Sequence, residues 1–132
     1  MSEVALKIEV EIKPTEDPEK VKIAVKNLFE LSSMELILHQ KGSLFKVKTV
    51  GKEGLTKFYM LLRQERILTA ARRVLINGVS DRNIIFHLNK QAAYMMCISF
   101  CESISESPLG PIRVEIECDN PKALIDWLVP RM

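Results

Sequence analysis

Wound as an α-helix, the stretch around Arg63, Arg66 and Arg73 brings these three arginines within a sector of about 80°. Guanidinium groups on one face can each grip a phosphate through two parallel N–H donors, so the spacing suits a polyanion. The competing reading is a solvated face, partly paired with Glu65 or with carboxylates from the rest of the chain. Upstream, Val50-Gly51-Lys52-Glu53-Gly54 opens the same helix, with Lys57 close behind. Backbone N–H groups at a helix start, assisted by Lys52 and Lys57, can hold a phosphate. The Gly-x-x-Gly spacing is also that of the loop with which KH domains clamp a nucleic-acid backbone. That loop joins two helices, however, whereas residues 44–50 alternate like a strand, and an ordinary glycine-containing turn is the simpler reading.

A second polar constellation interrupts two apolar runs. Residues 84–88 are strand formers, Asn89, Lys90 and Gln91 follow, and an apolar stretch resumes at Ala92. Asn and Gln can satisfy neighbouring backbone groups, which would tie loops together at one sheet end. Alternatively, Lys90 and Gln91 lie beside Arg63, Arg66 and Arg82 as a phosphate-contacting edge. Asn89 fits the first role, and Lys90, which can only donate, fits the second.

No catalytic constellation is visible. There is no Walker loop, His-Glu-x-x-His motif or dinucleotide fingerprint. Neither His39 nor His87 stands in a context that pairs it with a nucleophile, and His87 reads as a sheet-surface residue. Cys97 and Cys101 are four apart on an expected strand and Cys118 is distant, so the spacing is not that of a zinc site. The expectation is a non-enzyme with no metal and no cofactor, its three cysteines reduced.

The 132 residues suffice for one core and one domain. Glu3 and Lys7 interrupt what would be a signal core, and the uncharged run of residues 91–101 is too short to span a bilayer. A cytosolic protein with no membrane partner is expected. The net charge of +2 conceals a division: residues 41–90 hold eleven Lys/Arg against three acids, giving +8, and the remainder holds eight against fourteen, giving −6. A basic middle is the footprint of a polyanion partner, unless the acidic flanks neutralise it in three dimensions.

These residues must be positioned by an α+β arrangement. Residues 4–12 alternate as a half-buried strand, and Asp17-Pro18 caps a helix with Val21, Ala24, Val25 and Leu28 on one face. A hairpin follows over residues 34–40 and 44–50, turning at Lys41-Gly42-Ser43. A long helix then runs to about Ile76 and stops at Asn77-Gly78. Strands are expected over 83–88, 95–102 and 112–118, and Asn120-Pro121 caps a last helix containing Leu124, Ile125 and Leu128. The result is a largely antiparallel sheet of about six strands, covered by the long central helix and shorter terminal helices. Along the long helix, Met60, Leu61, Ile67, Leu68, Ala71, Val74 and Leu75 form the stripe expected to face the core. Leu55, Phe58, Tyr59 and Leu62 form a second apolar face, covered either by another part of the domain or by a second copy in a homodimer. The outward strand positions, Lys7, Glu9, Glu11, Lys46, Lys48, Arg113, Glu115 and Glu117, include no aromatic for base stacking. Nucleic acid would therefore be met through backbone charge and shape.

Three segments, residues 61–75, 87–100 and 107–131, carry a family resemblance through Asn89-Lys90-Gln91-Ala92-Ala93, Ser107-Pro108-Leu109-Gly110 and Asp126-Trp127-Leu128 with Pro130. The chain resembles an archaeal protein family grouped with a predicted RNA-binding, exosome-associated family, whose fold is related to the five-type large-subunit ribosomal protein. The resemblance implies an α+β fold and an archaeal cytosolic home, carries a predicted RNA-binding label, and brings no enzymatic activity and no ligand. Thr69 stands where the family pattern implies an acidic residue, and Met96 where it implies glycine. The expected function is non-catalytic RNA binding through Lys52, Lys57, Arg63, Arg66, Arg73, Arg82, Lys90 and Gln91. The alternative is a homodimerising or protein-interaction module that uses the apolar face of residues 55–62.

Overall fold

Strand β1, Ala5–Ile12, buries Leu6, Ile8, Val10 and Ile12 and turns Lys7 and Glu11 to water. A period of two of this kind belongs to a sheet with one covered face. The computed structural model describes residues 4–30, 33–39, 42–101 and 111–130; the expected turn at Lys41 and the Ser107–Gly110 motif lie outside them. Strands β2 (Ser33–His39), β3 (Gly42–Val50), β4 (Val79–Ser80), β5 (Asn83–Leu88), β6 (Phe100–Cys101) and β7 (Ile112–Glu117) complete the sheet. Its order is β2-β3-β1-β7-β5-β4, with β6 pairing β5, and every pairing is antiparallel. Two of the seven strands, β4 and β6, have only two residues each, and β4 carries no alternation from which a sequence reading could find it.

Helices α1 (Pro18–Leu28) and α5 (Pro121–Leu128) begin where their caps foretell. The side chain of Asp17 accepts the Glu19 N–H and that of Asn120 the Ala123 N–H, satisfying donors that the first helical turn cannot. The strands preceding these helices, β1 and β7, lie side by side at the centre of the sheet.

The long helix is two helices, α2 (Thr56–Gln64) and α3 (Leu68–Asn77), preceded by a single 3₁₀ turn, Lys52–Leu55. At about 100° per residue, Leu62 and Ala71 would face opposite ways on an unbroken helix. The chain breaks between them: Arg66 takes φ 56°, its N–H donates to Arg63 O, and the Ile67 N–H reaches back to Leu62 O. This is the Schellman closure usually made by glycine. After the break, Leu55, Phe58 and Leu62 join Ala71 and Leu75 in the core, all at 0% exposure. Phe58 stacks on Phe29 at 5.2 Å and on Phe86 at 5.6 Å.

The face of residues 55–62 is therefore the core face, and the interaction module built on it loses its surface. Conversely Met60, expected in the core stripe, is 52% exposed. The break also removes the single helix face that would have aligned Arg63, Arg66 and Arg73.

The strand expected over 95–102 is corrected too. Residues Lys90–Tyr94 form a short helix, α4, whose N-cap is Asn89: its Oδ1 accepts the Ala92 N–H at 2.9 Å. A second Schellman closure ends α4, with the Met96 N–H on Ala93 O and the Cys97 N–H on Ala92 O. Met96 has φ 60°, so the position where the family pattern implies glycine is one that favours glycine. Both carboxylate oxygens of Glu65 accept the Ile98 N–H, which holds the following segment against the α2–α3 junction.

Candidate nucleic-acid interface

The C-terminal end of α5 docks against α2 and α3 through arginines. Helix ends leave carbonyls without intrahelical donors and carry negative partial charge, so guanidinium groups suit them. Arg63 of α2 donates Nη1 to Leu128 O at 3.0 Å and to Tyr59 O at 3.2 Å, and Nη2 to Trp127 O at 3.3 Å. Its guanidinium also lies 3.5 Å from the centre of the Tyr59 ring. Arg72 of α3 donates to Val129 O at 2.9 Å and to the Asp126 carboxylate at 2.7 Å. The rings of Tyr59 and Trp127 stack at 4.8 Å and 29°. The Lys52 ammonium stands 4.9 Å from the Trp127 ring centre. Arg72, Lys122, Asp126 and Pro130 border a hollow of about 370 Å³ on the adjoining stretch of α5. A run of cations and aromatics thus joins Lys52, Trp127, Tyr59 and Arg63, and continues to Arg72 and Lys122.

The residues singled out from the sequence are dispersed around this cluster. Lys52 and Arg63 belong to it, although Arg63 is half-buried and engaged with backbone. Arg66 at the α2–α3 junction and Arg73 on α3 are exposed and have no acidic partner among the described residues. Lys57 ties the start of α2 to α1, donating to Lys26 O at 2.9 Å and lying 3.5 Å from the Glu30 carboxylate. Arg82 lies in the β4–β5 turn, 3.7 Å from the Asp119 carboxylate. Gln91 is exposed and borders a different groove of about 550 Å³ between α1 and α4.

Lys90 leaves the phosphate-contacting set. It is 5% exposed, donates to Glu11 O, and pairs with the Glu16 carboxylate at 3.0 Å. Burial lowers its pKa below the ordinary lysine range, against the opposing pull of Glu16 and Glu11. Sequence reasoning missed Arg72 and Lys122, and it marked Trp127 only within the Asp126-Trp127-Leu128 family motif and gave it no site role, because its partners lie on elements distant in sequence.

Among the described residues the open sheet face is mixed in sign: Lys7 lies opposite Lys48, but it also faces Glu115, and Glu9 lies between Lys46 and Arg113 in the register. His87 sits on this face opposite Arg113, and burial, then the guanidinium charge, lowers its pKa.

A family model described as RNA binding matches residues 5–118. A UPF0201 protein from Sulfurisphaera tokodaii is 45% identical over 127 residues, spanning 94% of this chain and 86% of that protein. The chain belongs to both, the family of that model and UPF0201. A second UPF0201 protein, from Methanopyrus kandleri, is 47% identical over 126 residues, spanning 89% of this chain and 79% of its own length. The crystal structure of the UPF0201 protein from Methanococcus jannaschii superposes with a TM-score of 0.86 at 33% identity, covering 97% of this chain and 94% of that one. The archaeal family resemblance read from the sequence is borne out, and with it the α+β class. Among the described residues of this UPF0201 chain, no helix is long and apolar enough to cross a membrane.

Proposed function

We propose that this protein is a non-catalytic, cytoplasmic RNA-binding module that meets phosphates through cations of the helical layer, chiefly Lys52, Arg66, Arg73 and Lys122. One observation carries the reading: Arg66 and Arg73 stand exposed and unpaired among the described residues on the helices of the α2–α3–α5 cluster, whereas the cations of the open sheet face are interspersed with Glu9 and Glu115. Membership of a family described as RNA binding supports it. Arg63 adds positive potential while serving mainly to seat α5, and Arg72, its charge offset by Asp126, serves the seating alone.

The test is a salt titration of binding to single-stranded RNA. Affinity is expected to fall steeply between about 50 and 200 mM salt, because each neutralised phosphate releases counterions. Changing Arg66 and Arg73 together to Glu is expected to make the log–log slope shallower by about 1.4, at roughly 0.7 per lost contact. Absence of binding at low salt, or a slope indifferent to the double change, would overturn the proposal.

A further inference from the structure

Resting on the RNA reading above, we propose that Trp127 and Lys52 accept an unpaired nucleobase, so that the RNA is single-stranded where it crosses α5. The indole is held from one side of the cluster. Arg63, anchored on three carbonyls, braces the Tyr59 ring at 3.5 Å, and Tyr59 stacks on Trp127 at 4.8 Å. A ring restrained this way loses little freedom when a base settles on it, and that preorganisation favours binding.

Lys52 is the movable neighbour. It contributes one cation–π contact at 4.9 Å, and no ion pair or hydrogen bond holds it among the described residues. A base taking its place gains a full stacking contact, which outweighs a cation–π contact at a partly exposed site. The displaced ammonium stays within reach of the phosphate that carries the base. Lys122 adds a positive charge on α5 beside the hollow that it borders with the Arg72–Asp126 ion pair. A duplex cannot use such a ring, because its bases already stack on one another.

Trp127 is the only tryptophan, so emission of the full chain excited at the red edge of indole absorption, beyond that of the two tyrosines, reports on this position alone. The probes are an oligoadenylate octamer, an RNA hairpin with the same number of phosphates, inorganic polyphosphate and AMP. The octamer is expected to quench Trp127 emission and to bind roughly 5- to 100-fold more tightly than the hairpin, the range that loss of one stacked base allows. Polyphosphate, which can draw the Lys52 ammonium off the ring but cannot stack on it, is expected not to quench the emission. Trp127→Leu is expected to erase the preference for the octamer while leaving the salt slope intact. Should that variant fail to fold, Lys52→Gln serves instead, keeping the quench and reducing the slope by about 0.7. Salt-sensitive binding with unchanged emission, or equal quenching by polyphosphate, would overturn base stacking and leave the RNA reading standing. AMP binding as tightly as the octamer would overturn an RNA chain as the ligand. No binding by any probe at low salt would overturn the RNA reading itself, and this inference with it.

Discussion

The ammonium of Lys90 lies 3.0 Å from a carboxylate oxygen of Glu16, and the two side chains are only 5% and 10% exposed. The pair ties α4 to the segment between β1 and α1, with Glu11 O as a further acceptor. Taking away one member of a buried pair leaves the other charge without its partner, which costs about 3–5 kcal/mol. Lys90→Met should therefore lower unfolding stability by about 3 kcal/mol in chemical denaturation. A loss below about 1 kcal/mol would show the pair to be dispensable.

The same lysine carries a pH signature. Its folded pKa is lowered, chiefly by burial, so the unfolded chain binds this proton more tightly than the folded one. Stability from Lys90 is consequently least at pH below its folded pKa. It rises as pH passes the folded pKa and levels off near the ordinary lysine value of about 10.4. The stability difference between the native chain and Lys90→Met, measured from pH 7 to 10, should grow with pH. A difference that shrinks over this range would contradict the assignment.

Met96 occupies φ 60° at the close of α4 and is 55% exposed, so little packing opposes replacement. A left-handed non-glycine residue costs roughly 1–2 kcal/mol, partly offset by glycine's greater freedom in the unfolded chain. Met96→Gly should stabilise by about 1 kcal/mol and raise Tm by a few degrees. Met95→Gly, one residue earlier at φ −91°, should destabilise. The same change of sign across the two neighbours is what calorimetry has to show.

Arg63 holds α5 by a planar fork, with Nη1 on Leu128 O and Nη2 on Trp127 O. Lysine keeps the charge and loses the two-pronged geometry. Arg63→Lys should cost about 1–2 kcal/mol and alter the near-ultraviolet dichroism of the Tyr59–Trp127 stack. Arg73→Glu should leave that signal untouched, since Arg73 is exposed and unpaired among the described residues.

Gly78 closes α3 where the chain turns back along β5. A Cβ there would stand 2.0 Å from Ile85 O, a backbone atom held by the sheet. Gly78→Ala should destabilise by about 2 kcal/mol or more, through displacement of the β4–β5 hairpin. Melting within a degree of the native chain would show that the approach is not constrained.

How far the sequence reaches follows from the range of the forces involved. The alternation of Leu6, Ile8, Val10 and Ile12, and the Asx-Pro starts at Asp17 and Asn120, are settled by hydrogen bonds and side-chain directions within a few residues, so they were readable directly. The break at Arg66 has no glycine or proline to announce it. It exists because Leu62 and Ala71 must both reach one core, which outweighs the local preference for an unbroken helix. Lys90 looks like a solvent-facing cation until Glu16, 74 positions earlier, closes over it. Trp127 becomes part of a cationic aromatic cluster only when α5 packs on α2, bringing Arg63 to carbonyls 64 and 65 positions away. Local hydrogen bonding and periodicity wrote the strands and caps into the chain, whereas the candidate site depends on long-range burial, which no window of neighbouring residues contains.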